Sequence, residues 1–353
     1  MSLARRLAAE IAQTGPISVA EFMTRALHDP ADGYYATRPA LGPGGDFITA
    51  PLVSQMFGEL IGVWLIETWR GLGAPARVIL AEAGPGDATL MADIGRAARL
   101  SPQLRAAAET WLIETSGPLR RMQAERLAGC RPPPRWVSSL AELPDDAPLL
   151  FIANEFLDCL PARQFVRTER GWAERVVGLD GDGALAFGLR PAAFDGPAGA
   201  PPGAVVERSP AQEAFVAELA ARIVGQGGAA LLVDYGPAEP ACGDTLQALS
   251  GHQKVDPLAS AGAADLTVHA QFPAVLAAAT AEGAQTALLT QAEFLRRLGV
   301  EARAAQLAAA NPARAETIGR QLERLTAPGA MGDLFKAVAI WRDSPPPAFE
   351  AAA

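Results

Sequence analysis

Between Arg77 and Trp341, short apolar runs alternate with stretches in which apolar residues recur every three or four positions. Continuous apolar runs fit strands buried on both faces, and their alternation with helical periodicity predicts a mostly parallel α/β sheet with crossover helices. Strands are expected at 77–82, 110–115, 134–137, 148–153, 229–234, 284–289 and 335–341. Residues 1–70 read as helical instead. Leu3, Leu7 and Ile11 recur every four residues, and Ser18 with Glu21 forms a capping box ahead of Val19, Phe22, Met23 and Leu27. After a Gly/Pro-rich loop from Pro39 to Ala50 comes a helix expected at 52–69. It carries Met56, Phe57, Leu60, Ile61, Trp64, Leu65 and Trp69 on faces too broad for a surface helix, so it is expected to pack on a sheet or a partner.

Two segments interrupt the alternation. Residues 163–189 mix apolar and polar positions around a Gly181-Asp182-Gly183 turn, which predicts a β-hairpin, followed by a Pro/Gly/Ala-rich loop at 190–206. Residues 237–283 show little regular patterning. The expected organisation is a helical N-terminal cap at 1–70 and an α/β domain at 71–353, with insertions around 163–206 and 237–283.

Half of the 353 residues are hydrophobic, enough for one large core or two modest ones. A net charge of −9 argues against a general nucleic-acid binder, which needs clustered Lys and Arg. Cys130, Cys159 and Cys242 lack CxxC spacing, and His28, His252 and His269 lack metal-ligand spacing, so neither a disulfide framework nor a metal site is expected. No apolar run has the length of a membrane span, and the N-terminus does not read as a secretory signal, so the expected location is the cytoplasm.

The densest chemistry lies at Glu82-Ala83-Gly84-Pro85-Gly86, where an apolar run ends in an acid and two spaced glycines. A strand-to-helix glycine turn brings backbone N–H groups against a ligand. In the dinucleotide fingerprint a third glycine follows three residues after the second, and here Thr89 occupies that place. Glu82 would repel a pyrophosphate and suits the ammonium of an amino-acid moiety, which favours S-adenosylmethionine over a nicotinamide dinucleotide. Glu114, at the end of the next apolar run, supplies a carboxylate able to accept from two vicinal ribose hydroxyls.

Asn154-Glu155-Phe156-Leu157-Asp158 follows the apolar run 149–153, at the carboxyl end of an expected central strand where open α/β sheets place their ligands. Glu155 and Asp158 together could grip a guanidinium and accept its proton, with Asn154 beside them. Weaker candidates are Gly45-Asp46-Phe47 in the loop before the Trp-rich helix, Asp234-Tyr235-Gly236 at another strand end, and Asp265-Leu266-Thr267 with His252 upstream.

Taken in order and spacing, these segments resemble the MidA family of class I S-adenosylmethionine-dependent methyltransferases, whose sheet is Rossmann-like. Gly45-Asp46-Phe47-Ile48-Thr49, Gln55-Met56-Phe57-Gly58-Glu59, Glu82 to Gly86, Asn154 to Pro161, Asp234 to Gly236 and Asp265 to Thr267 carry the likeness. It implies that Gly45, Asp46, Phe47, Glu82, Gly84 and Gly86 touch the cofactor and that Glu114 binds its ribose. Asn154 is expected among the cofactor contacts as well, and the Asn154-Glu155 segment would lie near the transferred methyl. It further implies symmetric dimethylation of an arginine in a partner protein, with respiratory complex I assembly as the setting. Gln247 and Gln271 depart from the family, standing where Arg and Asp are common. The competing expectations are a non-catalytic assembly factor that uses the fold as a protein-binding scaffold and, less favoured, a nicotinamide-dependent oxidoreductase. The apolar N-terminal segment is compatible with a homodimer.

Overall fold

The structure is a computed structural model and describes residues 2–37 and 49–350. Two compact units are interleaved along the chain. Among the described residues, 2–37, 157–214 and 239–273 form one unit, and 49–156, 215–238 and 274–350 form the other. The expected boundary lay near residue 70; in this division the Trp-rich helix groups with the sheet that follows it.

In the first unit, helices α1 (Leu3–Thr14) and α2 (Val19–His28) bury the apolar positions expected of them, Leu3, Leu7 and Ile11 on α1 and Phe22, Met23 and Leu27 on α2. Ser18 caps α2 by accepting from the Glu21 N–H at 3.1 Å. The single expected hairpin is two successive hairpins, with strands Arg163–Thr168, Gly171–Leu179 and Leu185–Pro191. Ile17–Ser18 and Val205–Arg208 complete a five-stranded antiparallel sheet. The weakly patterned 237–283 region contains a three-stranded antiparallel sheet of the first unit, Gln247–Ser250, Gln253–Val255 and Asp265–Thr267, and then the helix Phe272–Ala281, most of which belongs to the second unit. Strands this short, one of them largely exposed, cannot show a period of two in sequence.

The second unit is built on a seven-stranded sheet whose strands are β1 (Val78–Ala83), β2 (Ala108–Ile113), β3 (Arg135–Val137), β4 (Leu149–Asn154), β5 (Gly228–Tyr235), β6 (Gln285–Thr290) and β7 (Phe335–Trp341). Their spatial order is β6-β7-β5-β4-β1-β2-β3. The pairs from β5 to β3 are parallel, and β7 is antiparallel to both β5 and β6, so β7 alone runs against the others. All seven lie where apolar runs were expected, to within two residues at each end. β1, β4 and β7 are buried at every position, which is why they read as unbroken apolar runs. The mostly parallel character belongs to this sheet; the two sheets of the first unit are antiparallel.

Helix α3 (Gln55–Gly71) starts at Ser54, whose hydroxyl accepts from the Met56 N–H at 3.3 Å, and a separate turn, Ala50–Val53, precedes it. Its breadth of apolar surface is buried on several sides. On one of them Gly58 and Gly62 meet α4 (Thr89–Ala97), where a Cβ added to either glycine would come within 2.5 Å of the Asp93 or Ala97 Cβ. Helix α5 (Pro102–Ala107) precedes β2 and α6 (Gly117–Arg126) follows it. At the head of β5, Gly228 adopts φ 120°, and a Cβ there would lie 1.9 Å from the Leu149 carbonyl oxygen. This close passage sets β5 against β4 with Gly228 opposite Leu149 and Val233 opposite Asn154.

Candidate active site

β1, β2 and β4 deliver Glu82, Glu114 and Asn154 to the same edge of the sheet, because parallel strands end together at their carboxyl ends. Beyond Glu82 the chain turns through Gly84 (φ 60°), Gly86 (φ 55°) and Ala88 (φ 62°) before entering α4. A Cβ on Gly84 would come within 2.9 Å of the Phe156 ring, so the loop needs glycine both for its backbone and for its neighbour. Asp87 holds the turn: one carboxylate oxygen accepts from the Thr89 N–H at 2.9 Å and the other from Arg126 on α6 at 2.9 Å.

Glu82 is 2% exposed, and its Oε2 has no hydrogen-bond partner among the described residues. Burial, and then the nearby Asp87, push its pKa up to about 8. A buried carboxyl with an open oxygen beside a glycine turn fits the cationic end of an amino-acid moiety, which would supply the missing charge. In the free protein, folding stability should fall as pH rises from about 4.5 to about 8. Across that window the unfolded Glu82 has lost its proton while the folded one keeps it. Denaturant midpoints measured against pH should show this decline, and Glu82→Gln should flatten it; an unchanged slope would assign the titration to another group.

Glu114 lies just past β2 and is buried, which raises its pKa. Oε1 accepts from the Ser116 N–H at 2.8 Å and Oε2 from the Gln123 side-chain amide at 3.0 Å. Each oxygen keeps lone-pair capacity for a hydroxyl. Gln123, on α6, joins the two halves of the site. The same amide nitrogen donates to the Gly86 carbonyl at 2.8 Å, while its oxygen accepts from the Trp136 indole at 2.8 Å. Gln123 escaped the sequence reading, since its only signal is its helical register behind Glu114. Gln123→Leu would leave the Gly86 carbonyl, Glu114 and the Trp136 indole each short of a partner. Calorimetry with S-adenosylhomocysteine should show affinity lowered about tenfold, the loss expected for one or two buried hydrogen bonds. Unchanged affinity would show that the staple is dispensable.

Asn154 ends β4, and Glu155 follows in a left-handed conformation, φ 51°, uncommon for a residue with a side chain. Glu155 is anchored through its N–H to the Val233 carbonyl of β5 at 2.8 Å. Its Oε1 accepts from the Asn154 side-chain amide at 3.0 Å and from the Ala50 N–H at 3.2 Å. Asn154 Oδ1 is buried without a hydrogen bond among the described residues. Asp234, at the end of β5, accepts from the Phe156 N–H at 3.1 Å, fixing the chain just after Glu155. Such an outlier, tied down on several sides, is typical of a residue that the surrounding structure holds for a purpose.

Asp158 lies in the other unit, buried, with its carbonyl accepting from the Val268 N–H at 2.9 Å. In that unit Asp265 is buried and accepts from the Tyr35 hydroxyl at 2.8 Å; burial, and then neighbouring acids that include Asp265, raise the Tyr35 pKa. His252 does not join Asp265, because it occupies an exposed hairpin turn. Gln271 donates from its N–H to Gln212 at 2.8 Å and from its side chain to the His269 carbonyl at 3.1 Å. Gly45, Asp46 and Phe47 lie outside the described residues.

A sheet with one reversed strand, a glycine turn behind a buried acid and a second acid on the neighbouring strand define an S-adenosylmethionine-dependent methyltransferase. The chain belongs to the Methyltransf_28 family of S-adenosyl-L-methionine-dependent methyltransferases, which it matches over residues 60–290. It is similar to the protein arginine methyltransferase NDUFAF7, mitochondrial, of Danio rerio, with 35% identity covering 95% of this chain and 86% of that one. The Drosophila melanogaster homolog is 34% identical, covering 96% and 85%. Among solved structures, a COG1565 superfamily member from Burkholderia thailandensis bound to S-adenosyl-homocysteine superposes with a TM-score of 0.86 at 30% identity. That match covers 98% of this chain and 94% of the other. The cofactor is therefore S-adenosylmethionine, and the chain is an enzyme of the transferase class. No helix of the described residues is long and apolar enough to cross a membrane.

Proposed function

We propose that this protein methylates an arginine side chain of a partner protein. The observation that carries the reading is the anchored carboxylate of Glu155 at the carboxyl edge of the sheet, in a chain 34–35% identical over nearly its whole length to proteins named arginine methyltransferases. When bound, the cofactor supplies an electrophilic methyl group on a sulfonium. Glu82 and the backbone of Gly84 to Gly86 hold the amino-acid end of that cofactor, and Glu114 accepts from its ribose hydroxyls. By the family resemblance, Gly45, Asp46 and Phe47 also contact the cofactor. Asn154 orients Glu155, and Glu155 orients the guanidinium and takes up the proton that it releases on methylation. Asp158, the other carboxylate of the same sequence motif, is a second catalytic candidate. Most of the acceleration then comes from positioning the nucleophile and excluding water.

The family resemblance supports symmetric dimethylation as the product and a respiratory complex I subunit as the partner. The cytoplasm is the location read from the sequence, whereas the relatives are named mitochondrial. Mass spectrometry of the host proteome with and without this gene should reveal lost symmetric dimethylarginine on a small set of proteins. If every methylarginine persists, arginine methylation is the wrong assignment. Calorimetry separates the scaffold alternative, for which S-adenosylmethionine would not bind.

A further inference from the structure

A cavity of about 280 Å³ opens at the opposite edge of the seven-stranded sheet from the glycine turn. Helices α4 and α6 both leave the carboxyl edge and end at the amino edge, and the cavity lies where they end, beside α5 and the segment 129–134. Its floor is apolar, formed by Leu65, Leu80, Leu104 and Leu150. A volume near the lower end of the range for small-molecule sites and an apolar floor suit a short hydrocarbon group.

The rim has a different chemistry. Arg96, Arg99, Arg105, Arg126 and Arg131 all line the cavity, and no Asp or Glu among the described residues does. This occurs in a chain whose 39 acidic residues outnumber its 30 basic ones. Three of the five are engaged: Arg96 with Asp93, Arg126 with Asp87 and Thr89, and Arg131 with the carbonyls of Ala128 and Cys130. Arg99 and Arg105 make no ion pair or hydrogen bond with any described residue, and both are exposed at the mouth. Guanidinium groups over an apolar floor, with no competing acid in the lining, match a molecule with a hydrocarbon tail and an anionic head.

We propose that this cavity is a second binding site, separate from the cofactor edge, for a single-chain amphipathic anion such as a carboxylate or phosphate monoester. The tail fills the space above Leu80 and Leu150, and the head is held by Arg99 and Arg105. This does not rest on the identity of the methylated substrate.

Titration calorimetry of the full chain with decanoate and decyl phosphate below their micellar concentrations, and with decanol below its solubility limit, tests the site. Decanoate or decyl phosphate should bind at one site per chain, and the stronger of the two identifies the head group. Decanol should bind at least tenfold more weakly. The double change Arg99→Ala/Arg105→Ala should weaken the anion about tenfold or more while leaving S-adenosylhomocysteine affinity unchanged. Ala98→Phe, which intrudes on the cavity from the end of α4, should do the same through the tail. The proposal is overturned if neither anion binds, if S-adenosylhomocysteine displaces the anion competitively, if decanol binds as well, or if the arginine changes have no effect.

Discussion

Glu155→Gln should lower kcat by about 10²–10⁴-fold, the usual contribution of a positioned general base. The substitution is nearly isosteric and keeps an oxygen able to accept from Asn154 and the Ala50 N–H, so the local anchoring survives. It removes the charge that pairs with a guanidinium and the site that takes its proton. S-adenosylhomocysteine affinity by calorimetry should stay within about threefold of the parent, because Glu82, Glu114 and the glycine turn are untouched. Full activity in a peptide-methylation assay would remove Glu155 from the chemistry, and a parallel loss of cofactor affinity would make it a structural residue instead.

Gly228→Ala should be the most damaging small substitution in the sheet unit. The added methyl would sit 1.9 Å from the Leu149 carbonyl oxygen, against backbone that cannot rotate away, at a φ of 120° that L side chains rarely adopt. Relief requires β5 to move off β4, which breaks the register that sets Val233 opposite Asn154. We expect a loss of roughly 4 kcal/mol or more, at the severe end for single changes. A thermal melt should place the first transition on the order of 10 °C lower. Since the Glu155 N–H bonds to the Val233 carbonyl, the folded fraction should also lose activity beyond the loss of stability. A melt within 2–3 °C of the parent, at roughly the shift expected for about 1 kcal/mol, would show that the strand accommodates the methyl.

How far the sequence revealed the molecule depended on burial. β1, β4 and β7 are enclosed on both faces, so their residues had to be apolar and the runs announced themselves. The short strands Gln247–Ser250 and Gln253–Val255 lie half-exposed to exposed for most of their length and left no period to detect. Glu82, Glu114 and Asn154 were legible as strand-end polar residues, a position that has chemical meaning in a parallel sheet. The left-handed turn at Glu155 was not, because nothing in a glutamate signals positive φ. Gln123 was equally silent: its partners lie 9, 13 and 37 positions away, reached only once α6 has folded back along β1 and β2. The insertions read around 163–206 and 237–283 overlap the segments 157–214 and 239–273 that the first unit takes from mid-chain, whereas their grouping with residues 2–37 has no signal in sequence.

The place of β7 governs how this protein can be made. It is the last strand among the described residues, yet it is inserted between β5 and β6, pairing with β5 from Ala229 to Tyr235 and with β6 from Gln285 to Thr290. Until residues 335–341 emerge from the ribosome, β5 presents an apolar edge of unpaired backbone groups and β6 has no strand to join. The nascent chain must therefore carry an open sheet through the synthesis of roughly a hundred further residues, several seconds at ordinary elongation rates. Throughout that interval the exposed edge of β5 is a template for pairing with another chain.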